Sequence, residues 1–151
     1  MKIEVVPYTP LHAYEVINKN VTERGLQLSK LPDYERYAKE WGEGGPAFTL
    51  IIDGEVVGCA GVALTAWNRG EAWTLLSTLF YKYKKTSYKS IKIGLEKIIK
   101  EYKLRRIQAV VFDGTEEVCG RFLYHLGFEW EGKHKGYGPH GETMHSYGRV
   151  I

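Results

Sequence analysis

The sequence is poor in the residues that staple, anchor or interrupt a chain. It has two cysteines, Cys59 and Cys119, far apart and without a CxxC pair. That pattern excludes a disulfide framework and suits a reducing compartment. No apolar run approaches the roughly 20 residues that cross a bilayer as a helix. The opening MKIEVVPYTP lacks the charged start, apolar stretch and small-residue cleavage site of a secretory leader. A cytoplasmic protein with no membrane partner is expected. Internal repeats, low-complexity tracts and dividing linkers are also missing, so one domain is expected over residues 1–151.

What is present is ordinary in amount and uneven in placement. A hydrophobic fraction of 44% and a charged fraction of 26% fit a globular protein with a real core. The net charge is only +3, yet Lys82 to Arg106 holds eight lysines and two arginines against Glu96 and Glu101, leaving the remainder net acidic. Such a segment suits a phosphate-rich ligand or a nucleic acid, and equally the solvated face of a helix.

The elements read in order. KIEVV, ending at Pro7, predicts a first strand. Thr9-Pro10 reads as a helix cap followed by proline at the first helical position. A second helix start lies at Leu31-Pro32-Asp33, and its helix stops at GEGGP. FTLII and EVVGCAGVAL flank Asp53-Gly54, the dipeptide of a tight hairpin turn. A turn around Asn68-Arg69-Gly70 leads to EAWTLLSTLF, read as a strand, and then to a basic linker, YKYKKTS. Ile91, Leu95, Ile98 and Tyr102 recur at helical steps. RIQAVVF is a buried-looking strand, EEVCGRFLYHLGF a helix, and two strands close the chain around Pro139-His140-Gly141. The order is β-α-α-β-β-β-α-β-α-β-β.

Within the second half, Glu116-x-x-Cys119-x-x-x-Leu123-x-x-x-Gly127-Phe128, followed by Glu129-Trp130-Glu131-Gly132, carries a further signal. A glycine closing a helix in the left-handed conformation and a phenylalanine turning into the core make physical sense of it. With the element order, this pattern resembles the GNAT acyltransferase superfamily. Residues from about Glu71 onward are similar to a phage-associated branch that includes podovirus internal virion proteins. The resemblance implies an α/β (α+β) fold with a mixed sheet of about six to seven strands and about four helices.

The resemblance also implies acetyl-CoA in a V-shaped opening between the fourth and fifth strands. Its pyrophosphate would rest on free amides at the following helix start. The family's Q/R-x-x-G-x-G/A loop falls on Ser87-Tyr88-Lys89-Ser90-Ile91-Lys92, where serine and lysine replace the glycines and serine replaces Q/R. The implied cofactor site comprises Leu79, Phe80 and Tyr81 with Lys85, Thr86, Ser87, Tyr88, Lys89 and Ser90. Capping of a surface helix by Thr86 or Ser87 is the alternative. The family's catalytic tyrosine position holds Leu123, with Tyr124 next, displaced by about 100° around the helix. Glu71 stands where some relatives place a general base, and Ser77 and Thr78 are placed to hold a water.

Other residues are read as structural. His134, His140 and His145 lack a completing metal-ligand pattern and are expected at the surface or in turns, so no metal is expected. Cys119 and the four tryptophans are expected to pack, while Tyr34 and Trp41 line an acceptor pocket by fold analogy. Three functions follow from these readings. One is an acetyl-CoA-dependent N-acetyltransferase acting on an amine of a small molecule or protein. Another is a non-catalytic, virion-type protein on the same scaffold, which a phage origin would place in the virion. The third is a nucleic-acid module built on the basic stretch, disfavoured because its tyrosines form no recognised stacking platform. A homodimer is compatible with each.

Overall fold

The computed structural model describes residues 1–19 and 34–151, so the expected helix start at Leu31-Pro32-Asp33 lies outside the described residues. Strand β1 (Ile3–Pro7) leads to α1 (Pro10–Lys19), and α2 (Tyr34–Glu43) leads to β2 (Ala47–Ile52), β3 (Glu55–Thr65) and β4 (Arg69–Leu76). Helices α3 (Leu79–Lys82) and α4 (Lys84–Glu101) precede β5 (Arg106–Phe112). A π-helical turn, Glu116–Gly120, runs into α5 (Arg121–His125), and β6 (Glu129–His134) and β7 (Met144–Val150) finish the sheet. The seven strands lie in the order β1-β2-β3-β4-β5-β7-β6, antiparallel except for the β4–β5 pair.

The expected element order and mixed sheet are therefore present. The turn between β2 and β3 is the expected one, with Asp53 and Gly54 at φ 50° and 80°. The turn before β4 sits slightly earlier than expected. Trp67 and Asn68 take positive φ, and Arg69 already pairs in the strand.

Two apolar layers sandwich the sheet. Ile91, Leu95, Ile98 and Ile99 of α4 join Leu123 of α5 over Leu50, Val62 and Ile107 on one face. Ala13, Val16 and Ile17 of α1 pack with Ala38 of α2 against Cys59 and Leu75 on the other. The helical period thus fixes three of the four anchors expected on α4, while Tyr102 is exposed just past its end.

The stretch between β4 and α4 departs from expectation. LSTLFYKYKKTS was divided between a strand and a linker, yet β4 stops at Leu76 and the chain turns helical from Leu79. Ser77 makes that turn. Its Oγ donates to the Val57 carbonyl (2.8 Å) and accepts the Leu79 N–H (3.2 Å). Phe80, Tyr83, Ser87 and Ile91 then recur at helical steps on the core side.

Candidate functional site

The central feature is a gap in the sheet. Strands β4 and β5 pair at Arg69–Arg106, Gly70–Ile107 and Glu71–Gln108 only. Beyond that, β4 continues to Leu76 bonded to β3, and β5 continues to Phe112 bonded to β7. The facing edges of residues 72–76 and 109–112 therefore keep main-chain donors and acceptors with no strand partner between them. An extended ligand with amide groups fits such an opening.

Glu71 lies at the last paired position before the gap. It is half-buried, and its carboxylate has no ion pair or hydrogen bond among the described residues. Side chains alternate along a strand, so Glu71 shares its face with Trp73 and Leu75, which pack toward α1 and α2. Trp73 stacks on Trp41 (5.1 Å between centroids) and meets Tyr8 edge-on (5.3 Å), while its indole nitrogen is buried without a partner. Trp41 thus packs on this face through Trp73, while the side chain of Tyr34 lies outside the described residues.

On the same side, Tyr8 donates to the Ala38 carbonyl (2.6 Å), and burial pushes its phenol pKa well up. Nδ1 of His12 meets the Thr9 N–H (3.2 Å) and Thr49 Oγ1 (2.8 Å). Burial lowers the pKa of His12, and burial pushes the Cys59 thiol up to about 12. None of these residues was singled out as a site by sequence, apart from Cys59 as a redox marker.

The expected cofactor residues divide at the helix start. Lys84, Lys85 and Thr86 precede the first backbone bond of α4, which runs from the Ser87 N–H to the Tyr83 carbonyl (2.8 Å). Their amides are the ones free for an anion, with the lysine ammonium groups exposed beside them. Ser87, Tyr88, Lys89 and Ser90 lie one turn or more inside the helix, so the loop aligned on residues 87–92 is not a loop. Ser87 is fully buried with its Oγ unpartnered, facing a small apolar void beside Leu76, Phe80 and Ile91. Neither Thr86 nor Ser87 caps the helix; Tyr83 occupies that position without a side-chain bond. Ser90 Oγ donates back to the Thr86 carbonyl (2.9 Å), and the Tyr88 hydroxyl donates to the His125 carbonyl (2.7 Å). Phe80 is buried against Phe122, Leu79 is half-buried and Tyr81 is exposed. Phe122 in turn meets Tyr88, so aromatic rings bridge α4 and α5.

At the end of α5 the expected closure is present. Gly127 has φ 93°, its N–H bonds the Tyr124 carbonyl (2.9 Å), and Phe128 N–H bonds that of Leu123 (3.0 Å). Leu123 and Phe128 are core, whereas Tyr124 is 69% exposed, with no hydrogen bond on its hydroxyl among the described residues. The π-turn admits an extra residue, so Gly120, not Cys119, is the buried small residue, beneath the Tyr147 ring.

A polar cluster escaped the sequence reading altogether. His145, expected at the surface, is 8% exposed and faces Asp113 (2.7 Å) and Glu116 through Nε2. Trp130, expected to pack, is largely exposed, and its indole N–H donates to Nδ1 (3.0 Å). An indole only donates, so Nδ1 accepts and the ring proton sits on Nε2, pointing at the carboxylates. The three groups have metal-like spacing, but this tautomer makes Nε2 a donor to carboxylates instead of an open ligand. The hydrogen bond from His145 holds the Asp113 carboxyl pKa below its ordinary value.

No protein-family model matches the sequence, and no curated protein matches it. Solved structures do. An acetyltransferase of the GNAT family from Bacillus anthracis matches with TM-score 0.69 and 17% identity, covering 99% of this chain and 95% of that one. A spermidine N-acetyltransferase chimera from Vibrio cholerae and hSSAT gives 0.74 at 9%, covering 99% and 96%. The ribosomal-protein-S18-alanine N-acetyltransferase from Escherichia coli gives 0.72 at 14%, covering 99% and 94%. At these identities the likeness is one of fold. From the first strand to the last, the chain has the GNAT acyl-CoA N-acyltransferase fold.

Proposed function

We propose that the protein is an acetyl-CoA-dependent N-acetyltransferase with an amine acceptor. The observation that carries this reading is the divergence of β4 and β5 after the Glu71–Gln108 pair. The unpaired edges match the amides of a pantetheine arm, and the free amides of Lys84, Lys85 and Thr86 suit a pyrophosphate. The residues present thus fit the cosubstrate, with the anion site a turn earlier than the family alignment places it. When bound, acetyl-CoA supplies an activated thioester. The chain's part is to align an amine nitrogen with the thioester carbon and to accept the amine's proton. Glu71 is the unpaired carboxylate at the gap and takes the proton, directly or through one water. Tyr124, the remaining candidate acid, is exposed to solvent, which leaves Glu71 as the group this reading rests on.

Two of the fold relatives are named for acetylating spermidine and an alanine of a ribosomal protein, so both a polyamine and a peptide amine belong in the acceptor screen. Acetyl-CoA with each amine, followed by release of free thiol, tests the reading. Turnover that falls roughly a hundredfold in Glu71→Gln supports it, while no thiol release with any acceptor contradicts it. A cytoplasmic location accompanies this function.

A second reading is favoured by the aromatic bridge. Phe80 of α3 and Tyr88 of α4 each meet the Phe122 ring of α5 edge-on, and leucine stands at the tyrosine position. A non-catalytic scaffold protein, of the phage-associated kind, needs such packing and no catalytic tyrosine.

A further inference from the structure

The sheet ends in two edge strands of different character. β6 is blunted by a register shift between Trp130 and Gly132, a device that turns an edge away from partners. β1 pairs regularly with β2 over all five of its residues. Its outer side therefore offers a straight row of backbone groups with no pairing partner among the described residues. The register tells which groups these are. Asp53 N–H bonds the Lys2 carbonyl (2.9 Å) and Tyr8 N–H bonds the Ala47 carbonyl (3.2 Å). Lys2, Glu4, Val6 and Tyr8 therefore face β2, and Ile3, Val5 and Pro7 present their main chain outward. Pro7 has no N–H, so outward pairing stops there.

The side chains of this edge are unusual for an unprotected strand. Ile3 and Val5 are 45% and 54% exposed, and Met1 beside them is 73% exposed. On the opposite face, Lys2 and Glu4 lie 3.5 Å apart as an exposed ion pair.

We propose that β1 pairs antiparallel with β1 of a second copy, centred on Ile3, to form one continuous sheet across a two-fold dimer. Centring on Ile3 sets Ile3 against the partner's Ile3 as a hydrogen-bonded pair, and Val5 against the partner's Met1 as the next. The intervening non-hydrogen-bonded positions, where side chains approach most closely, set Lys2 against the partner's Glu4 and Glu4 against the partner's Lys2. Opposite charges thus meet twice by symmetry, while Met1, Ile3 and Val5 are covered together. The competing registers are worse. Centring on Glu4 sets two glutamates face to face, and centring on Val5 brings in Pro7, which cannot donate. Charge and hydrogen-bonding pattern therefore select one register and one occupant, a copy of this chain.

Sedimentation velocity over a range of about 10 µM to about 1 mM tests the proposal by mass action. The wild-type chain of 17.3 kDa is expected to move toward a species of twice that mass. Lys2→Glu and Glu4→Lys each set like charges opposite and are expected to raise the dissociation constant about tenfold, whereas the double reversal restores it. Both side chains are exposed, so these variants leave the fold intact, which unchanged circular dichroism confirms. A monomer at every concentration overturns the proposal. So does a dimer indifferent to Lys2→Glu, a double variant that stays dissociated, or growth beyond dimers, which marks head-to-tail pairing instead.

Discussion

At the scale of single residues, two environments make measurable claims. Asp113 has its carboxyl pKa lowered by the hydrogen bond from His145. A depressed folded-state value means the unfolded chain binds the proton more readily, so the contribution is present above about pH 4 and fades as pH falls through the folded value. Asp113→Asn is therefore expected to lower the unfolding temperature at pH 7 and to make progressively less difference as the pH falls below about 4. A loss that stays constant over that range contradicts the assigned bond. The Cys59 thiol, pushed up to about 12 and 1% exposed, is expected to resist alkylation at about pH 8 until the chain unfolds. Rapid labelling in the native state, located by peptide mapping, contradicts its placement. Cys59 outside any disulfide suits the sequence reading, but His145 does not, because Asp113 lies 32 residues from it and Trp130 lies 15. Only the β5–β7 and β6–β7 registers bring them together, and no local pattern encodes those registers.

At the scale of elements, close backbone approach is the strongest constraint. A Cβ on Gly61 of β3 would stand 2.8 Å from the Pro46 carbonyl oxygen and 2.7 Å from Ala47 Cβ, and backbone gives way poorly. Gly61→Ala is expected to cost about 1–3 kcal/mol in urea unfolding. Ile98→Ala, which opens a cavity between α4 and the sheet, is expected to cost about 2–5 kcal/mol. The hairpin at Asp53-Gly54, the helix closing at Gly127 and the anchors of α4 were legible because each rests on local conformation or period. The start of the central helix was not. EAWTLLSTLF alternates well enough to read as strand throughout, and the turn is made by Ser77 bonding to Val57 on a different strand. A contact 20 residues distant leaves no trace in the local pattern. The same contact explains why the proposed anion site falls on Lys84, Lys85 and Thr86: the helical register begins earlier than the alignment of Ile91 and Leu95 implies.

At the scale of the whole molecule, topology was legible and the proposed activity rests on it. The element order predicts the sheet, the sheet places β4 beside β5, and their early parting creates the opening. Charge sharpens the claim, since Lys82, Lys84, Lys85 and Lys89 are all exposed around that helix start. Binding of a polyanion there is expected to weaken as salt rises from about 0.05 to about 0.5 M, because exposed charges are screened within a Debye length. The measurement that decides the account is calorimetric titration of the protein with acetyl-CoA, with free CoA for comparison. The account predicts a dissociation constant on the order of micromolar, weakened about tenfold or more in Lys84→Ala plus Lys85→Ala. No heat and no thermal stabilisation at millimolar ligand would contradict it, and would leave a GNAT-shaped scaffold whose aromatic rings tie α3 and α4 to α5.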